Sequence, residues 1–108
     1  MPEEVLIVLS TFADADTARA AARTLVEERL AACANIVPQV ESIYRWQGKI
    51  ESGAEVLVIF KTTIGRYQQF EQRLRALHPY EVPEIVAIRA FAGSLDYLNW
   101  VVENCAQA

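Results

Sequence analysis

The chain has 108 residues, 53% of them hydrophobic, and a formal net charge of −4. That length fits one domain over residues 1–108, too small to hide so much apolar side chain, so part of it is expected between subunits. The basic residues are scattered, which excludes the basic stripe that nucleic acid requires, and no apolar run is long enough to cross a bilayer.

The first residues, Met1-Pro2-Glu3-Glu4, are acidic where a secretory signal needs positive charge, so a cytoplasmic location is expected. Cys33 and Cys105 are far apart and form no C-x-x-C pair. In a reducing compartment both read as plain thiols.

VLIVL (5–9) is a continuous aliphatic run, the pattern of a central strand buried on both faces. Asp14 and Asp16 stand where a helix N-cap belongs; a cation site is the alternative. Ala18, Ala21, Ala22, Leu25, Val26 and Leu30 repeat at helical spacing and predict a first helix near 15–31. From Ile36 the period becomes two. Ile36, Val40, Tyr44 and Trp46 are expected on one face, with Glu41 and Arg45 on the other. QGK (47–49) signals a turn, and 50–62 reads as a second long strand, with Gly53 as the candidate bulge. Tyr67, Phe70, Leu74 and Leu77 mark a second helix, stopped by Pro79. A fourth strand is expected over 85–91, and a last helix carries Tyr97, Leu98, Trp100 and Val101.

The order β-α-β-β-α-β-α is α+β. Its first six elements fit a ferredoxin-like βαββαβ unit with an extra C-terminal helix and a long β2–β3 hairpin. In that fold both helices cover one face of the sheet, and the strands here are apolar at both parities. Another copy of the chain is the simplest cover for the second face. Tyr44 and Trp46 at the hairpin tip are expected at the interface, since each ring is worth about 3 kcal/mol when buried.

LHPYEVPEI (77–85) holds the only histidine of the chain. Pro79 and Pro83 stiffen this segment and would hold His78, Tyr80 and Glu84 at fixed spacing. These three, with Lys61 from the second hairpin strand and Trp46 from a neighbour, make a candidate pocket between subunits. His78 with Glu84 (or Glu81), or three copies of His78 on a symmetry axis, would suit a divalent cation such as copper or zinc. Lys61 with His78 would suit a small anion. The structural alternative has His78 capping the last carbonyls of the second helix and Tyr80 anchoring an interface. An acidic surface is compatible with attracting cations. No Gly-rich phosphate loop or Ser-His-Asp order is present, and no catalytic residue is assigned.

ERLAACANIVP (28–38), YRWQGKIE (44–51), KTT (61–63), LHPYEVPEI (77–85) and DYLNW (96–100) resemble, in this order, the CutA family of divalent-cation-tolerance proteins. The resemblance runs from about Val5 to Trp100. It implies a ferredoxin-like subunit in a tight homotrimer built by pairing of the long hairpins. It also implies a role in tolerance of copper and other divalent metals, and no residue pattern in the chain points to an enzyme. The architecture is similar to the trimeric PII signalling proteins, which keeps open a sensing or scaffold module that binds a small anionic ligand or a protein partner. In copper-binding relatives a cysteine near the end of the first strand and two adjacent histidines are the suggested ligands. Ser10 and Leu77-His78 stand there in this chain, so only His78 remains of the soft donors that select copper, and weak cation binding is implied.

Overall fold

The computed structural model describes residues 3–107. Along β1 (Val5–Phe12), Val8 and Phe12 share one face and enter the main core. They meet Val56, Val58 and Phe60 of β3 (Lys49–Thr63), which alternate in the same way. Two helices close over these residues. Ala18, Ala21, Ala22 and Leu25 come from α1 (Ala15–Glu27), and Phe70 and Leu74 from α2 (Tyr67–Leu77). The alanines let α1 lie close to the sheet. Phe60 and Phe70 meet edge to face, with ring centroids 5.1 Å apart.

The sheet is completed by β2 (Cys33–Trp46) and β4 (Val86–Arg89), in the order β2-β3-β1-β4. Every neighbouring pair is antiparallel. The fourth strand is thus shorter than the 85–91 expected. The last helix, α3 (Leu95–Cys105), joins Val101 and Cys105 to Val5 and Ala32 in a second, smaller core. Val5 has the opposite parity to Val8, so α3 rests at one end of the other face. No helix among the described residues is long and apolar enough to cross a membrane.

The first helix ends earlier than its apolar pattern predicts. Arg29 adopts a positive φ of 61°, and Leu30 and Arg29 donate their N–H groups to the carbonyls of Leu25 and Val26. This is a Schellman closure with arginine in the position that usually takes glycine. Asp14 caps the other end, accepting from Thr17 N at 2.8 Å, and Asp16 pairs with Arg19.

The hairpin bulge is not at Gly53, which pairs in register with Ser42. The register slips instead between Val37 and Val40, where β2 holds one residue more than β3. Pro38 lies in that gap and has no N–H to give to the ladder. The slip turns β2 over. Ile36 pairs with Val58 and packs on the helix-covered core. Val40, Ser42, Tyr44 and Trp46 pair with Glu55, Gly53, Glu51 and Lys49 on the opposite face. Ile36 therefore does not share a face with Tyr44 and Trp46. At the tip, Gln47 and Gly48 take φ of 50° and 81°, the two-residue turn that matches strand twist.

Candidate acidic and aromatic pocket

His78 ends α2. Pro79 bars another helical residue, and His78 is extended at φ −84° and ψ 132°. Its backbone N–H still bonds to Leu74 O. Its side chain does not cap α2. It turns back to β1, where Nε2 donates to Thr11 O at 2.8 Å and Nδ1 accepts from Tyr80 N at 3.1 Å. A carbonyl on one nitrogen and an N–H on the other select the neutral Nε2–H tautomer. The ring stacks on Phe12 at 4.2 Å and is 7% exposed. Burial pushes its pKa below the ordinary histidine value, against the opposing pull of Thr11 O and Glu55.

The hydrogen bond from Tyr80 N places the next side chain. Tyr80 reaches across to β3 and donates its hydroxyl to Glu55 Oε2 at 2.7 Å. Burial and the Glu55 carboxylate both push the Tyr80 phenol upward, so it stays a donor.

These contacts wall a cavity of about 560 Å³. One side comes from the loop after α2, through Tyr80, Glu81 and Glu84, and the other from the hairpin, through Ser42, Tyr44 and Trp46. Thr11 and Glu55 also line it. The bulge at Pro38 is what turns Tyr44 and Trp46 to the face of β3 that carries Glu55.

Of the residues singled out in the sequence, Tyr44, Trp46, Tyr80, Glu81 and Glu84 come together here, all from one chain. His78 and Lys61 do not line the cavity. His78 stands behind the wall, with both ring nitrogens bonded to backbone groups. Lys61 shares the face of Glu55 but lies six residues along β3, about 20 Å away, where its Nζ donates to Asn35 Oδ1. Glu55 is the residue that sequence reasoning passed over. Its signal was a lone carboxylate directly before the apolar run VLVIF.

Three carboxylates, Glu55, Glu81 and Glu84, line the cavity, with no lysine or arginine among them. Such a lining repels anions and attracts cations. Among the described residues, no group of three or more His, Cys, Asp or Glu side chains is placed to hold a metal ion.

The family model for the CutA1 divalent ion tolerance protein matches residues 6–104. The chain belongs to the CutA family. The divalent-cation tolerance protein CutA of Thermus thermophilus is 50% identical over 98 residues, 91% of this chain and 95% of that protein. Protein CutA of Mus musculus is 42% identical over 94% of this chain, which spans 57% of the mouse protein. The solved divalent cation tolerance protein (Cut A1) of Thermus thermophilus superposes with a TM-score of 0.92, at 48% identity, over 94% of this chain and 99% of its own. Within this CutA-family chain, Ser10 does not face the pocket. It is fully buried opposite Val58, on the side that α1 and α2 cover, and its Oγ has no hydrogen-bond partner among the described residues.

Proposed function

We propose that the chain is a ferredoxin-like subunit of a cytosolic homotrimer that serves divalent-cation tolerance by binding such cations weakly. The observation that carries this is the cavity lined by Glu55, Glu81 and Glu84 without a basic residue. Glu84 and Glu81 are its oxygen donors. His78 holds the loop that presents them, and its role is positioning rather than ligation. Oxygen donors without thiolate or imidazole hold copper or zinc loosely, which fits exchange rather than storage. Family membership supports the general metal-tolerance role.

The homotrimer draws support from the half-exposed Val86 and Ile88 on the sheet and from Ile43 and Ile50 at the hairpin, 71% and 61% exposed. Val86 and Ile88 lie on the open face of the sheet, and Ile43 joins Tyr44 and Trp46 in the pocket lining. The PII-like alternative, with an anionic ligand on Lys61, Tyr80 and Trp46, is not favoured, because Lys61 is remote from the two rings and carboxylates surround them.

Native mass spectrometry of metal-stripped protein, before and after zinc or copper is added, tests both parts. A trimer that takes up metal, and takes up less after Glu84→Gln, is expected. A monomer, or a trimer that binds no divalent ion at millimolar concentration, would refute the corresponding part.

A further inference from the structure

The cavity is much larger than a bare ion needs. At about 560 Å³ it falls among pockets for small organic ligands. Its carboxylates do not converge, since no three metal-ligating side chains among the described residues approach a common point. Three rings share the lining. Tyr44 and Trp46 come from β2 and Tyr80 from the loop. A compact divalent ion wants several oxygens at close range. Dispersed negative charge beside aromatic rings suits a bulky cation whose charge is spread over alkyl groups. Such a cation loses little hydration on entry and is attracted by the ring quadrupoles, most strongly by tryptophan. Tyr80 donates to Glu55 Oε2, which fixes that carboxylate and leaves Oε1 to accept an N–H from a ligand.

We infer that this pocket binds an organic ammonium ion, with Trp46, Tyr44 and Tyr80 around the cationic head and Glu55 and Glu84 as its counter-charges. The inference rests on reading the pocket as cation-receiving and names a second class of cation for it. His78 serves here as a positioning residue, because its bond to Tyr80 N sets the ring that forms the wall.

The test is calorimetric titration of the assembled protein with tetraethylammonium and with protonated 1,4-diaminobutane. Neutral tert-butanol serves as the control, and zinc is titrated separately. Binding of an ammonium probe but not of the alcohol is expected. Trp46→Leu and Glu84→Gln should each weaken it by about fivefold or more. Glu84 lies outside the hairpin, so that variant keeps the test sound if Trp46→Leu alters assembly, which native mass spectrometry reports. Zinc binding without ammonium binding overturns this inference and spares the metal reading. Absence of both overturns both. Equal binding of alcohol and ammonium, or ammonium binding that survives both substitutions, overturns the assignment to this pocket.

Discussion

His78 carries a pH dependence whose sign follows from its two hydrogen bonds. Protonation would put a second N–H on Nδ1, facing the Tyr80 N–H that donates to it. Burial has already pushed the folded pKa below the unfolded value of 6.5. Between those two values the unfolded chain holds more protons, so stability rises with pH. The His78 contribution is fully present above pH 6.5 and is lost as the pH falls toward the folded pKa. The urea midpoint should therefore drop through mildly acidic pH more steeply in the native protein than in His78→Gln. Parallel profiles would show that the imidazole is not held neutral. Ser10 offers a second test at this scale. Its buried hydroxyl lacks a partner among the described residues, and an unmet buried polar group costs about 1–3 kcal/mol. Ser10→Ala is expected to stabilise the protein by about 1 kcal/mol in urea unfolding. A loss of that size would reveal a partner for the hydroxyl.

Among the elements, the junction of α1 with α3 holds a trade between strain and tethering. Arg29 sits at φ 61°, a conformation that disfavours side chains by about 1 kcal/mol. The same residue donates from Nε to Ala106 O at 2.6 Å and from Nη2 to Glu103 O at 2.7 Å. These bonds satisfy carbonyls at the C-terminal end of α3. Arg29→Ala keeps the strain and loses the tether, whereas Arg29→Gly loses both. The expected order of stability is native, then Gly, then Ala, with Ala about 1–2 kcal/mol below native. Amide exchange near residues 103–106 should quicken in both variants. Equal stability of Gly and Ala would mean that the backbone at Arg29 is unstrained. The hairpin shows the limit of periodicity at this scale. Alternation predicted β2 correctly as a strand, yet a bulge of one residue reversed its faces, and nothing in a period-two pattern announces where a bulge falls.

At the scale of the whole molecule the question is what covers the second face of the sheet. Val86 and Ile88 are 51% and 49% exposed, and Ile88 pairs with Ile7, Val86 with Leu9. A contiguous apolar surface of this kind marks an association site. If the proposed trimer forms across this face, Ile88→Glu is expected to give smaller species in native mass spectra and a Tm that depends on concentration. An unchanged subunit number and Tm would place the interface elsewhere.

The element order, most core-facing positions of α1 and α2, and the family were legible in the sequence. Each rests on local periodicity or on contiguous motifs. Which parity of β1 and β3 faces the helices was not legible, because the runs VLIVL and VLVIF are apolar throughout. The stiff segment around His78 was also legible as a place where polar groups are held. What that histidine does was not. A lone imidazole between prolines reads equally as ligand, cap or spacer, and only packing against Phe12, Thr11 and Tyr80 decided that it faces the protein. The pocket likewise depended on tertiary structure. Glu55, Tyr44 and Tyr80 are far apart in the chain, and a bulge, a strand pairing and a loop reversal brought them to one cavity. Local pattern sets which face a residue prefers, but long-range register sets which residues that face will meet.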